Sequence, residues 1–178
     1  MSNTEHLSYP IGRFKPQATY TADDRNLCIQ RIAALPQKLE ELVKTLTPAQ
    51  LDTAYREGGW TARQVIHHIP DSHMNAYIRC KWTITEATPT IKAYDEKAWA
   101  ETPEVALDPT MSVNLLKALH IRWAALFANL SEADFSRQFY HPDSKKHVPL
   151  AQALASYAWH GEHHLAHLKI IAALGASL

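Results

Sequence analysis

Four long stretches of helically spaced apolar residues constrain the fold of this chain more than any other feature. They run over residues 24–46, 61–85, 108–130 and 151–174. Apolar side chains recur in them every three or four residues, which places those side chains on one face of an α-helix. Four such helices without a regular alternation of strands are typical of a helical bundle. We therefore predict an all-α fold, a four-helix bundle.

Residues at the predicted helix ends support these boundaries. Thr61 and Gln64 have the spacing of a capping box, in which each side chain bonds the backbone NH of the other residue. Asp108 stands before Pro109, a favourable pair for starting the third long helix. Gly175 follows the last helix, at the position where glycine commonly ends one.

The segments between the helices differ in character. Residues 1–22 are rich in turn-forming residues and predict an extended arm over the body of the protein. Residues 87–109 carry three prolines and form the longest irregular connection, a kind of loop that often has a functional role. Residues 138–150 alternate around the turn signal PDSKK and predict a small hairpin before the last helix. At 178 residues, we predict a single domain, residues 1–178.

Charge and hydropathy restrict the classes of function. The chain has 18 basic and 18 acidic residues, so no net charge attracts it to nucleic acid or to an anionic membrane. Its first residues lack the pattern of a secretory signal, and no segment approaches the ~18 uninterrupted apolar residues of a membrane span. We expect a cytoplasmic protein that binds neither nucleic acid nor membrane. Cys28 and Cys80 stand singly in helical patterns, as reduced core thiols do.

Histidine is concentrated in two of the predicted helices. Seven of the 11 histidines fall in two short windows, namely His67, His68, His73, His160, His163, His164 and His167. In the last helix, His160 with His164 and His163 with His167 both have the i, i+4 spacing. Residues four apart lie one above the other on a helix, so either pair could bind a single ion. The spacing does not choose between the two pairs.

The helix over residues 61–85 offers a third ligand. His67 and His68 point about 100° apart around that helix, so only one of them should face the bundle interior. Three histidines around zinc or nickel, with one coordination position left for water, are typical of a catalytic site. The residues therefore predict a metal site that combines one histidine of this helix with one pair of the last helix.

The last helix does not carry the metalloprotease motif HExxH. In that motif a general-base glutamate directly follows the first histidine, whereas Gly161 occupies this position here. Glu162 lies two residues from His160 and from His164, on another side of the helix, and is expected to be a solvated charge. No general base is predicted, so catalytic residues stay unassigned. The histidines expected to be ordinary core or surface residues are His6, His73, His120, His141 and His147.

Three segments of the chain resemble the DinB superfamily, and within it the YfiT branch of metal-dependent hydrolases. They are LDTAYREGGWTARQVIHHIPDSHMNAY, TPTIKAYDEKAW and YAWHGEHHLAH. The resemblance implies a four-helix bundle with one divalent metal ion per chain, zinc or nickel, held by three histidines. The family's first ligand follows the tryptophan of GGWT by eight residues, which matches His68, and its closing segment matches His160 and His164. Pro70 departs from relatives, which commonly carry alanine there, and could kink the helix at the site.

The same resemblance implies a function. A metal-dependent hydrolase would use the open metal position to activate water. Related members are thiol transferases that use low-molecular-weight thiols such as bacillithiol, so metal-dependent thiol transfer to a small-molecule acceptor is the alternative. A non-catalytic metal-binding module is a third possibility. Members of the branch are commonly homodimers, which implies a homodimer here. Asp71 is a candidate either to orient a ligand histidine or to pair with a nearby base on the helix surface.

Overall fold

The structure is a computed structural model and describes residues 5–174. Its elements, in chain order, are α1 (Glu5–Ser8), α2 (Ala22–Val43), α3 (Pro48–Leu51), α4 (Ala62–Thr85), α5 (Glu96–Trp99), a 3₁₀ helix (Pro103–Ala106), α6 (Thr110–Ala128), α7 (Glu132–Ser136), β1 (Gln138–His141), β2 (Lys146–Pro149) and α8 (Leu150–Leu174). Helices α2, α4, α6 and α8 are the four long helices expected from the sequence. The all-α bundle is therefore confirmed.

The predicted helix ends agree closely with the structure. Thr61 accepts from the Gln64 backbone NH, and the Gln64 side chain accepts from the Thr61 NH, so the capping box opens α4 as expected. Strands β1 and β2 pair antiparallel, which confirms the small hairpin. Gly175, the predicted end of the last helix, lies outside the described residues. None of the helices in residues 5–174 combines the length and the apolar character that a membrane span needs.

The four long helices do not simply alternate in direction. Two buried apolar clusters occupy opposite ends of the bundle, and the order in which each helix meets them gives its direction. Helices α4 and α6 pass from the first cluster to the second, whereas α2 and α8 pass from the second to the first. The neighbouring helices α4 and α6 are therefore parallel, and so are α2 and α8. Parallel α4 and α6 need a connection that returns along the bundle, which explains the length of segment 87–109.

A layer of histidines separates the two apolar clusters. The first cluster includes Ile69, Leu116 and Leu165, and the second includes Ala76 and Trp123. Where the two clusters meet, the bundle interior is lined by histidines from three helices, namely His68 and His73 of α4, His120 of α6, and His160 and His164 of α8. The helical periodicity of the sequence thus places a polar layer in the middle of an otherwise apolar core.

The arm and the long connection both pack on this bundle. Phe14 and Tyr9 of the arm contact Trp159 and His163 of α8 through their rings. The long connection pairs with the hairpin, where Ile91 donates to the Tyr140 carbonyl oxygen at 3.0 Å. The two segments therefore lie near the face of α8 that carries the histidines.

Candidate metal centre

Three ring nitrogens meet in the histidine layer. The Nε2 atom of His160 lies 3.4 Å from Nε2 of His68 and 3.2 Å from Nε2 of His164. One nitrogen from each of these three side chains lies within 4.8 Å of the other two. His68 and His164 are buried, whereas His160 is partly exposed. The structure thus brings together the three histidines that the family resemblance singled out.

The donor set fits a divalent metal ion. Ligand nitrogens ~2.0–2.1 Å from a tetrahedral zinc ion are separated by roughly 3.3–3.4 Å, close to two of the spacings seen here. Burial lowers the pKa of His68 to about 4, and burial also holds the pKa values of His160 and His164 well below their usual range. Each ring is therefore neutral at pH 7 and has a lone pair for a metal. Within the described residues, the group that could hold a metal contains only these three side chains.

The other candidate histidines have different surroundings. His67 accepts from the Ser112 hydroxyl at 2.7 Å and donates to the Leu107 carbonyl oxygen at 3.2 Å. Only one of the two histidines was expected to face the bundle interior, but both are buried, and only His68 joins the group of three. The ring of His163 stacks on the rings of Tyr9 and Trp159 instead of joining the group.

His167 lies beside His164, outside the group of three histidines. Its Nδ1 atom lies 3.4 Å from Nδ1 of His164, and its ring stacks on Tyr55 with 4.0 Å between centroids. Burial lowers the pKa of His167, and the backbone at Ser8 and Leu7 partly offsets this by favouring the protonated ring. A contact therefore runs from the arm through His167 to His164. The pair His163 and His167 does not face His68.

A chain of hydrogen bonds fixes the tautomer of His160. His120 Nδ1 lies 2.6 Å from the Ile32 carbonyl oxygen, which can only accept, so this nitrogen carries the proton. In a neutral ring His120 Nε2 then accepts from His73 Nδ1, 2.8 Å away. His73 Nε2 in turn accepts from His160 Nδ1 at 3.0 Å. The Nε2 atom of His160 is left with its lone pair free at the cluster.

This series of hydrogen bonds requires neutral histidine rings, and burial keeps these rings neutral. Burial lowers the pKa of His120 to about 4, and burial together with the neighbouring His160 and His120 holds the pKa of His73 well below its usual range. His73 and His120 are thus hydrogen-bonded core residues, as the sequence suggested. Their connection to His160 was not predicted, because it joins positions 87 and 47 residues apart in the sequence.

Asp71 has neither of the roles suggested for it. Its carboxylate makes no hydrogen bond to His67 or His68, and no ion pair, within the described residues. Burial raises its pKa to about 6. Glu162, in contrast, lies away from the cluster as expected, 2.6 Å from the Lys38 ammonium.

Trp60 is a neighbour of the cluster to which the sequence assigned no role. Its ring centroid lies 4.6 Å from that of His68 and 6.4 Å from that of His164. An apolar ring at this place shields one side of the three nitrogens from water. The helix carrying His68 continues through Pro70, so the proline does not prevent the three histidines from meeting.

The sequence pattern that defines the DinB superfamily matches residues 31–168. The chain belongs to the DinB superfamily. A DinB relative, the YfiT protein of Bacillus subtilis, is 49% identical over 164 residues, which are 92% of this chain and 92% of YfiT. A protein of Oceanobacillus iheyensis is 50% identical over 160 residues, 90% of this chain and 92% of its own. The names of both relatives assign them provisionally to the metal-dependent hydrolases.

The fold is also that of a solved DinB structure. The structure of YfiT from Bacillus subtilis matches with a TM-score of 0.93 at 47% identity, over 96% of this chain and 98% of YfiT. That protein is described as a probable metal-dependent hydrolase with an unusual four-helix bundle topology. The parallel arrangement of α4 and α6 distinguishes this DinB chain, too, from a bundle whose helices alternate up and down.

Proposed function

We propose that this chain is a metal-dependent hydrolase whose zinc or nickel ion is held by His68, His160 and His164. The observation that carries the proposal is the meeting of three neutral Nε2 atoms in a buried layer. The metal-dependent hydrolase names of close relatives support it. A divalent ion supplies Lewis-acid chemistry, since it polarises a carbonyl or phosphoryl oxygen and acidifies water.

The chain's own residues would prepare the site for this chemistry. The bond from His160 Nδ1 to His73 holds the His160 ring with Nε2 toward the cluster. Trp60 covers one side of His68 and excludes water there. Three protein ligands leave a coordination position for water or substrate, which supports an enzyme over a closed structural site. This arrangement supports a small-molecule substrate, which stays a prediction, as do a homodimer and a cytoplasmic location.

Hydrolysis can be tested with metal-free and reloaded protein. Chelator-treated protein should not hydrolyse a panel of carboxylic esters, amides and phosphate esters above background. One equivalent of zinc or nickel should restore hydrolysis of at least one class, and His160→Ala should prevent the restoration. Equal rates with and without metal would contradict the proposal.

The same assay separates hydrolysis from thiol transfer. A low-molecular-weight thiol is added to reloaded protein together with each substrate. A hydrolase should release the acid or alcohol product at a rate that does not depend on the thiol. Turnover that requires the thiol, with formation of a thiol adduct, would instead identify a transferase that uses the same three histidines.

A further inference from the structure

A cavity of about 320 Å³ reaches the histidine cluster. Its wall includes His160 of the cluster together with Phe14 of the arm, Glu96 of α5 and Phe139 of β1. The volume lies at the lower end of the ~300–1,000 Å³ typical of small-molecule pockets. The arm, the long connection and the hairpin thus enclose a space beside His160 that suits a small molecule.

Arg79 is a buried cation in the wall of this cavity. It also lines a neighbouring cavity of about 350 Å³ and is only 7% exposed. Its Nη2 atom donates to the Lys92 carbonyl oxygen at 2.9 Å, but its Nε atom is buried and has no hydrogen-bond partner among the described residues. Within residues 5–174, Arg79 forms no ion pair with a carboxylate. A buried charge is costly unless an opposite charge and hydrogen bonds compensate it.

The neighbouring side chains compensate the Arg79 charge only in part. The guanidinium carbon lies 5.9 Å from the centroid of the Tyr94 ring, a cation–π contact that leaves the Nε hydrogen without an acceptor. Glu96 lines both cavities, but burial raises its pKa, and this effect is larger than the lowering by the Arg79 charge. Asp95 and Asp143 line only the neighbouring cavity, whose wall does not include His160. His141 lines both cavities, and its Nδ1 atom is also buried, with no hydrogen-bond partner in the part of the chain that the structure describes. Arg79 Nε and His141 Nδ1 thus lie in the wall of the same cavity, and neither has a hydrogen-bond partner among the described residues. We call them the unused nitrogens.

We propose that this cavity is the substrate pocket and that Arg79 binds a carboxylate or phosphate group of a small anionic substrate. A guanidinium group matches the oxygens of both anions, and its bonds to them are stronger than bonds between neutral groups. The other end of the substrate would reach the histidine cluster through His160. The identity of the pocket as a substrate site rests on the proposed function, whereas the anion site does not depend on it.

Anion binding can be measured at Arg79 itself. Succinate and inorganic phosphate are titrated separately into zinc-loaded full-length protein, and the side-chain Nε–H signals of arginine are followed by ¹H–¹⁵N NMR. We expect a saturable shift of the Arg79 signal, which is assigned by its loss in Arg79→Lys. The stronger of the two responses distinguishes a carboxylate from a phosphate site. Isothermal titration calorimetry, which does not depend on the Arg79 signal, should show that Arg79→Gln weakens binding of that probe by at least about tenfold and that Arg122→Gln on the exposed face of α6 leaves it unchanged.

A second variant distinguishes a loss of anion binding from a loss of folding. Arg79→Gln removes the bond to Lys92 and could loosen the long connection, whereas His141→Phe keeps an aromatic ring in the wall and removes the polar nitrogens of His141, including the unused Nδ1. We expect His141→Phe to weaken binding severalfold with an unchanged fold. The proposal would be overturned by an Arg79 signal that responds to neither probe, or by unchanged binding in both variants.

The anion site and the metal site are tested separately by His160→Ala. This variant should lose the metal but keep the succinate or phosphate shift at Arg79. Loss of that shift in His160→Ala would show that the anion binds at the metal and would overturn the role of Arg79. Among substrates of the reloaded protein, esters with a free carboxylate should be preferred over their methyl esters in wild type, and Arg79→Gln should abolish the preference.

Discussion

The backbone carbonyl oxygen of Ile32 determines which nitrogen of His160 carries the proton and leaves the lone pair of Nε2 to the cluster. Because that oxygen can only accept, each proton in the series from His120 through His73 to His160 has one possible position. His73 has a hydrogen bond to His160 but none to His68 or His164, so its role is to orient His160. The partners of ligand histidines commonly have this effect.

Replacing His73 by phenylalanine should weaken zinc binding by about 10–100-fold. A phenyl ring fills a similar space but cannot accept from His160 Nδ1, so the ring of His160 loses its fixed tautomer. Competition with a chromophoric chelator measures the affinity, and ¹⁵N NMR of the imidazoles reports the tautomer. His147→Phe, on exposed strand β2, is the matched control. Unchanged affinity and an unchanged tautomer in His73→Phe would show that His73 only packs.

Single residues were predictable from the sequence to different degrees. Helical spacing reduced the histidines to a few sets, and the resemblance to known relatives selected His68, His160 and His164, which the structure brings together. His73 and His120 could not be connected to them, since no short motif links residues on two separate helices. Arg79 gave no signal in the sequence, because its burial depends on the folded connection around it.

At the scale of elements, Gly161 allows α2 and α8 to approach closely. A Cβ atom at this position would stand 2.5 Å from Leu35 Cδ2 and 3.1 Å from Leu35 Cδ1. The sequence showed that a glycine replaces the glutamate of HExxH, but it did not show the contact that requires a glycine. The close approach lies directly beside His160 and thus helps to set the position of that ring.

Gly161→Ala should destabilise the protein although alanine favours a helix. Overpacking against Leu35 costs about 1–3 kcal/mol, whereas the gain in helix propensity is only about 1 kcal/mol. In a Leu35→Ala background the clash is absent, so the same substitution should become stabilising by up to about 1 kcal/mol. Urea unfolding of the four proteins of this cycle measures both effects. An equal effect of Gly161→Ala in the two backgrounds would rule out the contact as the reason for the glycine.

The path of the long connection, residues 87–109, could not be predicted from the sequence. Its length and its prolines indicated an irregular segment. Its path follows from the parallel direction of α4 and α6, which helical periodicity does not reveal, because the pattern of apolar residues is the same for either direction. The contact of this segment with the hairpin brings Glu96 to the cavity wall.

At the scale of the whole molecule, the core is two apolar clusters joined by a layer of histidines. A bundle stabilised by apolar packing alone would not place five imidazoles in one layer, because each buried ring needs hydrogen-bond partners or a metal. His67, His73 and His120 have hydrogen-bond partners around the layer. Within residues 5–174, the Nε2 atoms of His68, His160 and His164 have only one another as polar neighbours, which is the central reason to infer a metal.

The metal content of two variants on the same helix tests this inference most directly. His160→Ala removes a member of the cluster, whereas His163→Ala removes a histidine three residues later that stacks on Tyr9 and Trp159. After zinc loading and gel filtration, elemental analysis should find about one ion per chain in wild type and in His163→Ala, but well below one in His160→Ala. Full metal content in His160→Ala, or its loss in His163→Ala alone, would contradict the three-histidine site.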